Sequence, residues 1–431
     1  MTPGARISAA IEVVAEIEAR KKPAADALKD WGLSHRFAGS KDRAAIASLV
    51  FDAQRKRASS AFMMGDETPR ASVLGALRQL RDMGAGALAA LCSGEGHSPP
   101  PLNEGEAERL AAGDLTGAPS FVAGDFPAWL ESSFAAVFGP AVVAEMSALA
   151  TRAPVDLRVN TLKATREKVL ASLAYLRAAP TPYSPLGLRL PLAPDGRGPA
   201  LAAEAAYIKG LAEIQDEGSQ LAAILALAKP GEQVLDLCAG AGGKTLALAA
   251  MMQNKGQIHA TDRDGARLMR SIARLARAGV RNVQVHAPRG KKNNVLAGLE
   301  GRCDLVFVDA PCTGTGTWRR SPDAKWRIRP GALSLRIAEQ DRTLEEAARF
   351  VRPRGRILYA TCSVLREENE DRLAAFLGAH ADYRSLPALE LAEIARIPDL
   401  VPFASRFGFG LRLTPLTSGT DGFFISMLRR G

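Results

Sequence analysis

Two cysteines stand at positions suited to chemistry rather than to core packing. Asp309-Ala-Pro311-Cys312-Thr-Gly-Thr-Gly-Thr317 follows the apolar run Leu305–Val308, and Thr361-Cys362-Ser363 follows Arg356–Ala360. As parallel strands of one sheet, both runs would end in polar loops at the carboxyl edge, where open α/β sheets hold their ligands. Two thiols 50 positions apart would then converge. A free cysteine is usually a small buried hydrophobe. That reading suits Cys92, Cys303 and Cys238 better than Cys312 and Cys362. None of the five histidines shares a ligand-like spacing with a cysteine, so no metal site is expected.

A glycine loop supplies the second element of the chemistry. Val234-Leu-Asp-Leu237 runs into Cys238-Ala-Gly240-Ala-Gly242-Gly243-Lys244-Thr245 and an alanine-rich helix. Glycine is needed where backbone turns sharply off a strand and comes close to a ligand. An ATPase-type phosphate loop requires glycine six residues before the lysine, and Cys238 occupies that place. A dinucleotide GxGxxG loop begun at Gly240 needs its third glycine where Thr245 stands, which makes that reading weak. The D/E-x-G-x-G-x-G loop of S-adenosylmethionine (SAM) enzymes fits Asp236, Gly240 and Gly242, with Cys238 replacing its first glycine. The next strand ends in Thr261-Asp262, about 20 residues on, where a carboxylate can accept from a ribose diol. Asp264 reads as the cap of the following helix. On that helix Arg267, Arg270, Arg274, Arg277 and Arg281 recur at helical spacing opposite Leu268, Ile272 and Leu275, which predicts a solvated basic face.

A thiol beside a methyl donor has a specific use. Carbon 5 of a pyrimidine is a poor nucleophile; thiolate attack on carbon 6 pushes electron density onto carbon 5, which can then take a methyl group. The chemistry needs a thiolate, an acid for the charge developing on the ring, and a base for the carbon 5 proton. Cys362, Asp309 and Cys312 can supply that set.

These groups must be positioned by a doubly wound α/β sheet. From Gly231 onward the chain alternates strand, loop and helix, with strands expected at Gln233–Leu237, Gly256–Thr261, Val283–Ala287, Leu305–Val308 and Arg356–Ala360. A last strand pair is expected at Gly410–Thr414 and Gly422–Leu428. The first 90 residues read as all helical: Ile7, Ala10, Ile11, Val14 and Ile17 keep helical spacing, as do Ala45, Ile46, Leu49, Val50 and Ala53. Ser93 to Glu106 reads as a Gly/Pro-rich loop. From Ala118 a small α+β module is expected, with a helix around Pro127–Phe138, a strand at Asp156–Asn160, a helix from Thr165 to Leu176 and a strand at Leu186–Leu192.

The chain has 431 residues, 47% of them apolar, which excludes wholesale disorder. No uncharged stretch reaches 18 residues and residues 1–22 lack an apolar signal region, so neither a membrane span nor a signal peptide is expected. Five cysteines without a CxxC pair point to a reducing, cytoplasmic compartment. The net charge is +10, and residues 263–330 alone hold 15 basic against 5 acidic residues, which favours a polyanionic partner.

The segments DAPCTGTGTWRRSPDAKW (309–326), ILYATCSVLREENE (357–370), VLDLCAGAGGKT (234–245), RVNTLK (158–163), IQDEGSQ (214–220) and DGFFISMLRR (421–430) together resemble the motifs of the RNA 5-methylcytosine methyltransferases, the RsmB/Nop/Sun family. The match spans roughly 120–431, and the paired PC and TC motifs are its most specific part. GSKDRAAIASLVFDAQRKR (39–57) resembles the NusB-like RNA-binding domain of the RsmB branch. The resemblance implies a class I SAM-dependent methyltransferase catalytic domain over 229–431, an α+β RNA-binding module over 118–228, and a helical NusB-like domain with its linker over 1–117. It implies that Cys362 is the nucleophile, that Cys312 aids proton removal or product release, and that Asp309 with Lys244 holds the polar edge of cytosine. Cys238, Ala239, Gly240, Ala241, Gly242, Gly243 and Lys244, with Asp262 and Asp309, would bind SAM. The chain departs from the family in having His286-Ala287-Pro288 where an acidic residue usually meets adenine.

RNA rather than DNA follows from this resemblance, with small-subunit ribosomal RNA as the expected substrate and a monomer as the expected state. A tRNA substrate is the rival within the same chemistry; a non-catalytic RNA-binding assembly factor and a nicotinamide-dependent oxidoreductase are rivals of other classes. A cytosine inside a helix cannot present carbon 6, so the base must be single-stranded or flipped out. Lys291-Lys292, Arg319-Arg320 and Lys325, with Trp318 and Trp326, are expected to hold phosphates and stack bases.

Overall fold

The computed structural model describes residues 1–193, 196, 198–288 and 296–431, and its contacts divide into two compact units. The first holds Met1–Arg152 together with Trp318–Arg329. Its helices are α1 (Pro3–Arg20), α2 (Ala24–Ser34), α3 (Ser40–Arg55), α4 (Arg57–Met64), α5 (Pro69–Arg81), α6 (Ala85–Leu91), α7 (Glu104–Ala112), α8 (Ser120–Ala123), α9 (Glu131–Phe138) and α10 (Val142–Leu149). The Thr2 hydroxyl caps α1, Pro3 occupies its first turn, and Ile7, Ala10, Val14 and Ile17 bury one stripe. The loop expected through Glu106 ends at Asn103, because Asn103 and Glu106 form a reciprocal capping box that starts α7. Among the described residues, Ala128–Leu149 alone has the length and hydropathy of a membrane span, with mean hydropathy 1.4. It is broken at Gly139-Pro140 and carries Glu131 and Glu145.

The segment 318–329 is built into this helical unit by specific bonds. Trp318 packs edge-on against Phe134, Arg55 donates to the Arg319 carbonyl at 2.7 Å, and Lys325 Nζ donates to the Arg55 carbonyl at 2.9 Å. Trp318, Arg319 and Lys325 are therefore buried, which corrects their expected role in gripping RNA. A buried cation survives only with such partners, and burial pushes the Lys325 ammonium down to about 7. Arg320 is exposed, whereas Lys291 and Lys292 lie outside the described residues.

The second unit holds two sheets. Its first part comprises β1 (Val155–Val159), α11 (Arg166–Ser172), β2 (Ala179–Pro180), β3 (Gly187–Leu190), α12 (Ala205–Ile208), β4 (Ala212–Ile214) and α13 (Glu217–Ile224), with an antiparallel sheet ordered β2-β3-β1-β4. The strands β2 and β4 were not visible in the sequence: two or three residues carry no alternation to read.

The main sheet begins with β5 (Gln233–Asp236), α14 (Gly243–Met251), β6 (Gln257–Thr261), α15 (Gly265–Ala278), β7 (Val283–His286) and β8 (Cys303–Asp309). The chain then contributes α16 (Ala324–Arg327) to the helical unit and resumes with α17 (Pro330–Phe350), β9 (Val351–Thr361), α18 (Glu370–Ala379), β10 (Tyr383–Ser385), α19 (Ala388–Ile394), β11 (Leu411–Leu413) and β12 (Phe423–Arg430). The order is β10-β12-β9-β8-β5-β6-β7, with β11 also paired to β12. Strands β7, β6, β5, β8 and β9 are parallel and β12 joins antiparallel. Leu248 of α14 and Leu391 of α19 pack on one face, Leu344 of α17 and Leu373 of α18 on the other, as a doubly wound sheet requires. The strand order reverses between β5 and β8, so the crevice at their carboxyl ends is the place for a ligand.

Candidate active site

The glycine loop leaves β5 and turns into α14 through two left-handed glycines, Gly240 at φ +54° and Gly242 at φ +80°. A Cβ on Gly242 would lie 2.7 Å from the Ser271 side chain, so shape as well as backbone conformation demands glycine there. The Gly240 N–H donates to Asp262 Oδ2 at 2.7 Å, and Asp264 N–H donates to Asp262 Oδ1 at 2.8 Å. These bonds fix the carboxylate at the end of β6 and leave lone pairs on both oxygens for a diol. Asp264 accepts from the Arg267 N–H at 2.9 Å and caps α15, as its position in the sequence suggested.

An ion network and a buried arginine hold the loop from below. Arg274 donates to the Ala241 carbonyl at 2.7 Å and to Glu213 at 3.0 Å, and Arg277 pairs with the same carboxylate. Arg274 and Arg277 thus leave the solvated face expected of them, because Glu213 on β4 is itself buried and needs their charge. Arg158 on β1 is wholly buried, donates to Gln215 at 2.6 Å and reaches the Gly243 carbonyl at 3.4 Å. Asn160, also in the 158–163 motif, donates to the carbonyls of Gly210 and Ala278 at 2.9 and 2.8 Å.

Strands β8 and β9 run side by side, with Asp309 opposite Ala360, and so deliver both thiol loops to one edge. Cys312 Sγ and Cys362 Sγ lie 3.4 Å apart. The Gly316 N–H donates to the Cys362 carbonyl at 2.9 Å, and the hydroxyls of Thr315 and Ser363 meet at 3.0 Å, which joins the two loops. The hydrogen bond to Cys362, reinforced by burial, pushes the Cys312 thiol well above its ordinary range. The two thiols face each other within hydrogen-bond reach. Lys244 Nζ, on the first turn of α14, bonds Asp309 Oδ2 at 2.6 Å.

Glu368 was not found from the sequence. It is fully buried and accepts from the Thr313 N–H at 2.8 Å and from the Thr313 hydroxyl, while Gln340 bonds both Glu368 and the Pro311 carbonyl. It grips the Cys312 loop from behind. Nothing in its charge pattern separated it from neighbouring Glu367 and Glu370.

One cavity of about 380 Å³ joins these parts, lined among others by Cys238, Asp262, Arg267, Asp309, Cys312 and Cys362. Its size lies within the roughly 300–1,000 Å³ of small-molecule sites. Cys238 faces this cavity rather than the apolar core expected of it. Ala287, where the family's acidic residue was expected, packs with Ala239, Ala260 and Leu268. Asp236 Oδ1, buried beneath the loop, has no hydrogen-bond partner among the described residues. The narrow glycine turn, the anchored Asp262 carboxylate and the adjacent thiols together fit SAM. Among the described residues no group of three His, Cys, Asp or Glu side chains is placed to hold a metal.

Comparison with known proteins agrees with this geometry. The family model for 16S rRNA methyltransferase RsmB/F matches residues 222–429, and that for the RsmF/B-like ferredoxin-like domain matches 126–195. A Synechocystis sp. protein named "Probable ribosomal RNA small subunit methyltransferase B" is 32% identical over 71% of this chain and 67% of its own length. The crystal structure of PH0851 aligns over 100% of this chain and 99% of its own, with a TM-score of 0.74 and 26% identity. A methyltransferase homolog protein from Pyrococcus horikoshii aligns over 72% of this chain and 98% of its own, with a TM-score of 0.58 and 27% identity. The chain spans between 48% and 68% of the length of the curated relatives it matches. Sheet, loop and cavity define a class I SAM-dependent methyltransferase. Within that class, the chain belongs to the RsmB/F family.

Proposed function

We propose that this protein methylates carbon 5 of a cytosine in small-subunit ribosomal RNA through a covalent adduct on Cys362. The observation that carries the reading is the 3.4 Å approach of Cys312 and Cys362 in the same cavity as the glycine loop. The names of the relatives support the RNA class. When bound, SAM supplies an electrophilic methyl group.

The roles of the side chains follow from their surroundings. Cys362 is the nucleophile: its sulfur stands in the loop after β9, within hydrogen-bond reach of the Cys312 thiol that can exchange a proton with it. Its attack forms the S–C6 bond and moves the C5=C6 electron pair toward carbon 5. Asp309, held by Lys244, accepts from the amino group at the polar edge of the ring, and the Lys244 ammonium offsets the negative charge developing there. Cys312 serves product release. In that step Cys312 passes its proton to Cys362 and takes the carbon 5 proton: the C5–H bond breaks, C5=C6 re-forms, and the pair of the S–C6 bond returns to Cys362, which leaves as its thiol. Residues 238–244, Asp262 and Asp309 would hold the cofactor, the Asp262 carboxylate being the group suited to its ribose diol.

We read residues 1–117 and 118–228 as the parts that present RNA to a catalytic domain over 229–431, in a cytoplasmic enzyme. Incubation with SAM labelled in its methyl group and protein-free 16S rRNA, followed by nucleoside analysis, tests the activity. Label in 5-methylcytidine is expected; label in any other nucleoside, or only in tRNA offered in parallel, would overturn the reading.

A further inference from the structure

The helical unit contains a second cavity, of about 530 Å³, walled by the end of α1, the start of α4 and the segment 323–329. Trp326 lines it, and its indole N–H is locked onto the Gln54 carbonyl at 2.8 Å. The Arg57 guanidinium lies over that ring, 5.7 Å from its centre, so a planar cation and an aromatic line the recess together. Four cations line the cavity, Lys21, Arg57, Arg327 and Arg329, against two carboxylates, Glu18 and Asp323.

Both carboxylates are already engaged. Glu18 pairs with Arg57 at 3.2 Å; Asp323 pairs with Arg327 at 3.1 Å and accepts from the Ala24 N–H. Among the described residues no carboxylate pairs with Lys21 or Arg329, and both are exposed. Two uncommitted cations therefore flank a stacking surface in a recess large enough for one nucleotide. Cations suit a phosphate, and a tryptophan or guanidinium plane suits an unpaired base. A duplex keeps its bases stacked and could not offer one to a recess.

We propose that this cavity binds a nucleotide of single-stranded RNA, with its base on Trp326 and Arg57 and its phosphate at Lys21 and Arg329. The proposal rests on the reading of RNA as substrate and adds a docking point carried by the segment that follows the Cys312 loop. It retains Trp326 from the basic stretch singled out in the sequence, and replaces its buried members with Lys21, Arg57 and Arg329.

The test uses the full chain, a fluorescein-labelled oligouridylate and anisotropy titrations across a salt series. Lys21→Glu with Arg329→Glu is expected to weaken binding about 10-fold and to make the dependence of log K on log salt shallower by roughly 1 to 2. SAM affinity and melting temperature should stay at wild-type values, which shows that the variant is folded. Ultraviolet cross-linking of 5-iodouridine-substituted RNA should mark the peptide containing Trp326. Unchanged affinity and salt slope, cross-links only elsewhere, or equal competition by polyglutamate would overturn the site; the last would indicate an acidic protein partner. If wild-type protein methylates no RNA while the double variant still loses oligouridylate affinity, the activity reading fails and the site stands. If methylation proceeds and the variant binds normally, the site alone fails.

Discussion

Lys244 Nζ and Asp309 Oδ2 are 2.6 Å apart, a bond that ties the first turn of α14 to the end of β8, where Asp309 lines the cavity. The lysine is largely buried and the carboxylate partly open, so the pair presents an oriented carboxylate to whatever enters. Asp309→Asn keeps the shape and removes the charge, and Lys244→Met removes its anchor. Each is expected to lower kcat by about 10²–10⁴-fold, the range of acid–base groups. Single-turnover methyl transfer measures it, and wild-type rates in both variants would contradict the assignment.

Glu213 ties two arginines to the floor of the glycine loop, so its effect should appear in cofactor binding. Glu213→Gln leaves Arg274 and Arg277 without their shared counter-charge and is expected to cost roughly 3 kcal/mol of stability. Because Arg274 also holds the Ala241 carbonyl, the KM for SAM should rise about 10-fold with little change in kcat. Calorimetric titration and thermal melts read the two effects separately.

Glu368 acts through the loop that it grips. Glu368→Gln replaces one accepting oxygen with a donor facing the Thr313 N–H or hydroxyl, which displaces Cys312. An expected drop of about 10²-fold in kcat at unchanged SAM affinity distinguishes this positioning role from a general loss of structure. Equal losses in kcat and SAM binding would contradict it.

The pH dependence of stability should carry the mark of Asp236. Burial pushes its carboxyl from 3.8 to about 7. Between those values the folded state holds a proton that the unfolded state has lost, so stability falls as pH rises through the window. Below it both states are protonated, and above it both are ionised. Asp236→Asn removes this slope, so its melting temperature should gain on wild type steadily from pH 4 to pH 7. Parallel melting curves would show that the carboxyl titrates normally.

The site was legible where local sequence and local geometry coincide. A loop after a strand places its residues at the sheet edge whatever the rest of the chain does, which is why Cys312, Cys362, Asp262 and Asp264 were found by position alone. The paired strands β8 and β9 then brought the thiols together. Charged residues were read less well, because whether a cation is solvated or buried depends on partners far away in sequence. Arg274 and Arg277 find Glu213 more than 60 residues earlier, and Lys325 finds the Arg55 carbonyl 270 residues away. Glu368 is hidden for the same reason, since its partner Thr313 lies 55 residues back. The capping box at Asn103 was readable and was masked by the prolines just before it.

Trapping the adduct tests the central claim most directly. RNA carrying 5-fluorocytidine at the target position lacks the carbon 5 proton whose removal frees the enzyme, so the S–C6 bond should persist after methyl transfer. Mass spectrometry of the digested complex is predicted to find the methylated fluorinated base on the peptide containing Cys362, absent in Cys362→Ala and still present in Cys312→Ala. A bond to Cys312, or an adduct that survives Cys362→Ala, would contradict the account.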